Sequence, residues 1–319
     1  MLSLVGSAVW LLLGAVPAFA DNGPHVSTAG MITDRCASCH RLHTAQAPML
    51  LTQSQSTLCY TCHGASGTGA TTDVEDGVGF SSATRLSATR AGALRGGGFK
   101  YALIDSLHPG NPTSTRSNID GTVPALSPLT TKAPITSSHS VDGLEGTAWG
   151  NGTISGTASA GATMQLGCGS CHDPHGNGNY RILRPIPDQS GATTGVAIAD
   201  AATKVYTTTN YWAAWDTNAP SFISSASAWC SQCHTRYLAG TGAGRESSGD
   251  AVFTYRHRSN DNDRGVPNCI QCHVAHGSNA TMGPYSSALT NPGGTPATAG
   301  NSRLLRIDNR GTCQMCHNR

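Results

Sequence analysis

The chain has 319 residues, of which 38% are hydrophobic and 6% aromatic, with 38 glycines. That is little apolar side chain to set against the conformational entropy of ordering so long a chain. Lysine and arginine total 20 against 18 acidic residues, a net charge of +2, so there is no basic excess of the kind a nucleic-acid-binding surface requires.

Residues 1–20, MLSLVGSAVWLLLGAVPAFA, form an apolar run ending in a small-x-small site at Ala18 and Ala20, and read as a signal peptide cut before Asp21. Gly14 and Pro17 break the run, which is short for a membrane span, and no later stretch is long and apolar enough for one. Asp rather than Cys at position 21 argues against a lipid anchor. The expectation is a secreted product comprising one domain, residues 21–319, with no membrane span in the mature chain.

Every cysteine beyond that point belongs to one motif written six times. In chain order these are CASCH (Cys36, Cys39, His40), CYTCH (Cys59, Cys62, His63), CGSCH (Cys168, Cys171, His172), CSQCH (Cys230, Cys233, His234), CIQCH (Cys269, Cys272, His273) and CQMCH (Cys313, Cys316, His317). C-x-x-C-H is the attachment signature of c-type haem: the two thiols add to its vinyl groups and the adjacent imidazole ligates its iron. A zinc half-site or a thioredoxin-like pair also uses C-x-x-C, but neither asks for His in the fifth place. At a histidine content of about 4%, six such pairs would all carry it by chance on the order of once in 10^8. The sequence thus predicts six covalently attached c-type haems and leaves no cysteine for a disulfide.

About 50 residues per haem is very little protein. The porphyrins are therefore expected to serve as the core, and the haem-free chain to be largely unfolded. Six ferric haems with their propionates would shift the charge from +2 to about −4, and reduction would take it to about −10. Some of the 17 arginines are expected to pair with propionates.

The motif starts, at 36, 59, 168, 230, 269 and 313, show no fixed repeat period. Residues 64–167 carry no motif and are rich in Gly, Thr, Ser and Ala; GASGTGATT (64–72) and LRGGGFK (94–100) read as loops. Helical periodicity is poor. The predicted fold class is a multihaem cytochrome c, mostly irregular chain, with short helices at and after the motifs and few strands, wrapped around a closely packed haem chain. Acidic residues Asp73, Glu75 and Asp76, and Asp261 with Asp263, could take calcium, though such runs are more often solvated loops. Asn151 and Asn279 lie in N-x-S/T sequences that permit glycosylation.

Seven histidines remain outside the motifs: His25, His43, His108, His139, His175, His257 and His276. Six irons need six distal ligands, so bis-histidine ligation throughout is available with one to spare, and no methionine is needed. Three of the seven follow motifs as C-x-x-C-H-x-x-H: His43 after His40, His175 after His172, His276 after His273. Three residue steps span at most about 10–11 Å, less than the roughly 12 Å between Cα atoms of imidazoles on opposite haem faces. Each second histidine must therefore reach a different haem, which implies a close array.

The ordered set CASCHRLH, APMLL, LCYTCH, CGSCHDPHGNGNYR, SAWCSQCHT, YRHR, NCIQCHVAHGS and a terminal CQMCH resembles the OmcS-like family of filament-forming, hexahaem extracellular c-type cytochromes of metal-reducing microbes. The resemblance covers all six motifs and not the segments between them. It implies a loop-dominated subunit with a continuous chain of stacked and perpendicular haems. It further implies a homopolymer in which a histidine near the N-terminus, here His43 or in exchange His25, ligates a haem of the next subunit. His108 and His139 would then serve the early haems, with His175, His257 and His276 filling the others and His25 as the surplus.

The leading functional expectation is extracellular electron transfer through saturated bis-histidine haems, with partner cytochromes and extracellular acceptors at either end. A monomeric periplasmic shuttle is the alternative. A multihaem enzyme is less favoured because every motif ends in His and distal ligands suffice.

Overall fold

The computed structural model describes His25 and residues 35–103, 132–153, 160–199, 205–207, 220–239, 246–250, 254–257, 268–282, 290–291, 294–296, 298 and 302–308. The signal segment, His108, Asp261, Asp263 and the sixth motif with Cys313, Cys316 and His317 lie outside the described residues.

Each described motif sits on a short helix: α1 (Arg35–Cys39), α2 (Gln55–His63), α3 (Cys168–Cys171), α4 (Pro220–Cys230) and α5 (Cys269–Cys272). One helical turn puts residues i, i+3 and i+4 on one face, which is what two thiols and an imidazole serving one group require. The histidine N–H closes that turn in four of the motifs, from His40 to Cys36, His172 to Cys168, His234 to Cys230 and His273 to Cys269 at 2.8–3.1 Å. Helical turns were expected at and after the motifs. The α-helical ones lie at and before them, with His172 and His273 already in extended backbone, and 3-10 turns follow the first and third motifs at Pro48–Leu50 and Tyr180–Ile182. α5 is held by a reciprocal cap: Asn268 Oδ1 accepts from Gln271 N at 2.9 Å, and Gln271 Oε1 from Asn268 N at 2.8 Å. Among the described residues no helix is long and apolar enough to cross a membrane.

The stretch between the second and third motifs holds most of the strands. β1 (Thr72–Asp73), β2 (Val78–Phe80) and β3 (Arg90–Leu94) form an antiparallel sheet. β4 (Tyr101–Ala102) pairs with β5 (Ala133–Pro134), and β7 (Glu145–Trp149) with β8 (Gly161–Gln165), while β6 (Ser137–Ser138) lies between those pairs in sequence. β9 (Val205–Tyr206) then joins β3 at the sheet edge, and β10 (Gly277–Ser278) pairs with β6. β10 immediately follows His276, so that pairing carries the fifth-motif segment onto the early part of the chain.

Apolar packing is local. Tyr180, Ile198 and Ala226 are buried together, with Leu183, Trp229 and Ile270 against them, and Trp229 Nε1 donates to Arg184 O at 2.6 Å. This cluster clamps α4 and α5 to the chain following the third motif.

Asp73, Glu75 and Asp76 form neither a solvated loop nor a calcium cluster. All three are buried, and each faces a cation: Arg85 at 3.8 Å from Asp73, Lys100 against Glu75, and Lys132 at 2.6 Å from Asp76. Asp73 Oδ1 also accepts the backbone N–H groups of Glu75 and Asp76 at 3.0 Å. Buried carboxylates need such partners, and these are taken. The Asn151 amide is engaged as well, donating to Cys233 O at 2.7 Å.

Candidate haem sites

No described cysteine is in a disulfide, and among the described residues no cluster of three or more His, Cys, Asp or Glu has the arrangement of a metal-ion site.

The motif imidazoles share one orientation. His40 Nδ1 bonds Met49 O at 2.9 Å, His172 Nδ1 bonds Arg181 O at 2.9 Å, His234 Nδ1 bonds Trp149 O at 2.6 Å and His273 Nδ1 bonds Arg303 O at 3.0 Å. His63 differs, with Nδ1 at 2.8 Å from the Thr72 hydroxyl. A carbonyl can only accept, so Nδ1 carries the proton and Nε2 is the nitrogen left to ligate.

Four of these rings face a second histidine. The centroids are 6.3 Å apart for His40 and His175, 6.4 Å for His63 and His25, 6.4 Å for His172 and His276, and 6.2 Å for His234 and His139. Each ligating nitrogen lies about 2.0 Å from a metal and about 1.1 Å from its ring centre, so two imidazoles across one iron have centroids about 6.2 Å apart. The opposing rings are also tied through Nδ1: His25 to Pro174 O at 2.7 Å, His139 to Ala275 O at 2.6 Å, His175 to Asp173 Oδ1 at 3.2 Å and His276 to Gly97 O at 3.3 Å. The residues present thus fit a haem at each of these four motifs. Burial pushes the His63 and His234 imidazoles down to about 4 and that of His276 to about 3, so they are held neutral, the form that a ligating imidazole requires.

These positions revise two sequence-based expectations. His25 is not surplus but faces His63. His139 faces the fourth motif rather than an early one. Neither was accessible to spacing arguments, because the acceptors that orient the two rings are backbone carbonyls more than a hundred residues away. His43 does not stand opposite a motif ring among the described residues.

A rule connects the sites. In the segment His172–His175, His172 belongs to the third motif, Pro174 O orients the partner of the second, and His175 faces the first. In His273–His276, His273 belongs to the fifth motif, Ala275 O orients the partner of the fourth, and His276 faces the third. Each four-residue segment therefore spans three consecutive sites, and the second segment repeats the first two sites further on.

The thiols follow the same order. Cys59 is hydrogen-bonded to Cys168 and Cys230 to Cys269, which pushes Cys59 and Cys230 up. Burial raises the Cys39 and Cys171 thiols, with further contributions from Cys62 and Cys233 respectively.

The odd-numbered sites share a clamp that no fixed period could reveal. Met49 and Leu50, Arg181 and Ile182, and Arg303 and Leu304 are consecutive non-glycine residues with φ between 49° and 61°. The first of each pair presents its carbonyl to the motif histidine. The second accepts from the residue after that histidine (Arg41, Asp173, Val274) at 2.8–2.9 Å. Leu51, Leu183 and Leu305 then form antiparallel bridges with His40, His172 and His273. Left-handed backbone costs a non-glycine residue roughly 1 kcal/mol or more, and it recurs here where a carbonyl must meet an imidazole. The signal was present in PMLLT, YRILR and SRLLR, the clamp carbonyl lying 9 residues past the motif histidine at the first and third sites and 30 past it at the fifth.

LRGGGFK likewise does more than connect. Gly97 has φ +70°, and a Cβ there would sit 2.1 Å from Gly277 O; a Cβ on Gly96 would sit 3.0 Å from the His276 ring.

A family model described as "Doubled CXXCH motif" matches residues 30–68, which hold the first two sites. That match marks a multihaem c-type cytochrome-like protein with covalently bound haem and an electron-transfer role. No curated protein and no solved structure matches the chain.

Proposed function

We propose that this protein carries electrons outside the cell along a continuous row of six bis-histidine c-type haems, as subunits that join end to end into a filament. When bound, each haem supplies a one-electron ferric/ferrous couple. The chain supplies spacing, ligation and the local dielectric. Paired imidazoles saturate the iron, so transfer between porphyrin edges, not substrate chemistry at the metal, is the activity they suit.

The observation that carries the filament reading is the three-site rule applied to the first segment, His40-Arg41-Leu42-His43. By analogy with His172–His175 and His273–His276, Leu42 O would orient a ring one site upstream and His43 would ligate two sites upstream. The sequence holds no C-x-x-C-H upstream of Cys36. In a preceding copy those two sites are the sixth and the fifth. His43 is exposed, Leu42 is 79% exposed and Met49 74%.

Replacing His43 with Ala tests this. The expected result is a monomer by sedimentation that retains its haems, with a vacant axial position at the fifth. Filaments of normal length from that variant overturn the cross-subunit role, and a wild-type holo-monomer stable at high concentration favours a shuttle.

A further inference from the structure

The first two sites form a matched pair with one difference. Their facing rings are equally near parallel, 9° for His40 with His175 and 10° for His63 with His25, so ring geometry does not separate them. The surroundings of the motif histidine do. His40 gives its Nδ1 proton to the Met49 carbonyl, whereas His63 meets the Thr72 hydroxyl, a weaker acceptor. A strong acceptor makes the ring more imidazolate-like and favours ferric iron; a weak one does so less.

A cation is also built in beside His63. Arg85 donates from Nε to Ala70 O at 3.2 Å, from Nη1 to Gly64 O at 2.6 Å, and from Nη2 to Cys62 O at 3.3 Å and to Thr72 O. Its side chain is 8% exposed. The guanidinium is thus bonded to both carbonyls that flank His63 and to the backbone of the residue whose hydroxyl meets His63. The carboxylate facing it is Asp73, whose Oδ2 lies 3.8 Å from Nη1, longer than the 2.6 Å hydrogen bond from Nη1 to Gly64 O. Reduction removes one positive charge from the site, and a nearby buried cation favours that change.

We infer that Arg85 and Thr72 are redox-positioning residues that set the second site above the first in potential, so that an electron shared by this adjacent pair rests at the second. The inference rests on the haem reading of the motifs.

The test uses full-length holoprotein and spectroelectrochemical titration, with haem counted per chain. Arg85→Gln and Thr72→Asp each should lower one potential of the set by about tenfold in its reduction equilibrium, 59 mV for one electron, while Thr72→Ser leaves it in place. Deleting the second attachment site with Cys59→Ala and Cys62→Ala should remove that same component. If Arg85→Gln reduces haem content, Thr72→Asp, which keeps the guanidinium, decides. Unchanged potentials in variants with full haem content, or a uniform shift of all of them, overturn the tuning alone. An unaltered haem count in the double cysteine variant overturns the haem reading beneath it.

Discussion

His175 faces His40 with ring centroids 6.3 Å apart and planes 9° from parallel, and Asp173 sets that pose by accepting both the His175 backbone N–H at 3.0 Å and its ring nitrogen at 3.2 Å. Replacing His175 with Ala should therefore open one iron, that of the first motif, and leave the third motif's own ligation by His172 untouched. One carbon monoxide bound per reduced chain is the expected stoichiometry, against none for the parent. Binding of none, or of two, would contradict the assignment of His175 to a site other than its own.

Ring planes divide the sites into two classes. The first two pairs are within 10° of parallel, whereas His172 with His276 and His234 with His139 are tilted by 58° and 49°. Parallel imidazoles act on the iron along one direction and separate its d orbitals, while crossed imidazoles leave them closely spaced. The low-spin ferric resonances should accordingly fall into a rhombic group and a strongly anisotropic group. A spectrum of one class only would show that the bound rings do not hold these angles.

Gly97 supplies the carbonyl that meets His276 and lies at φ +70°, with Gly277 O where a Cβ would go. Gly97→Ala should cost about 1 kcal/mol for the backbone conformation alone, more for the clash, and release His276 from the third site. Gly143 offers the control: φ is +71° there too, but a Cβ would meet nothing within 4 Å. Gly143→Ala should lower stability by the backbone strain only and leave every haem low-spin. Equal spectra for the two variants would detach Gly97 from His276.

The motifs, their number and the need for each C-x-x-C-H-x-x-H histidine to serve a distant site are legible because they depend on residue identity and short spacing. What the sequence hides is the backbone's share. Pro174 and Ala275 act through carbonyls, so their side chains carry no mark of the role. The clamp at Met49, Arg181 and Arg303 is set by φ, and the 9-residue separation shared by the first two is lengthened to 30 at the last. The surplus role of His25, or in exchange His43, follows only from the family resemblance, because a count of ligands is silent on which rings the chain brings together. The acidic residues from Asp73 to Asp76 misled for the same reason: their cations Arg85, Lys100 and Lys132 come from elsewhere in the chain.

That acidic cluster predicts a pH response. Burial alone would raise the Glu75 carboxyl, but the Lys100 hydrogen bond, the Ala65 N–H at 2.7 Å and the charges of Lys100 and Lys132 outweigh it and hold it below its usual 4.5. A folded value below the unfolded one means that the stabilisation is complete above about pH 4.5 and is lost as pH falls through the folded value, because the unfolded chain takes up the proton first. Asp73 works in the opposite sense, since burial raises it and acid favours its folded form. Glu75→Gln should thus reduce stability at neutral pH by no more than about 1 kcal/mol, given that Lys100 is largely exposed, and flatten the acid limb. Denaturant midpoints measured at pH 7, 5 and 4 check this, and parallel curves for parent and variant would show that the ion pair contributes nothing to acid sensitivity.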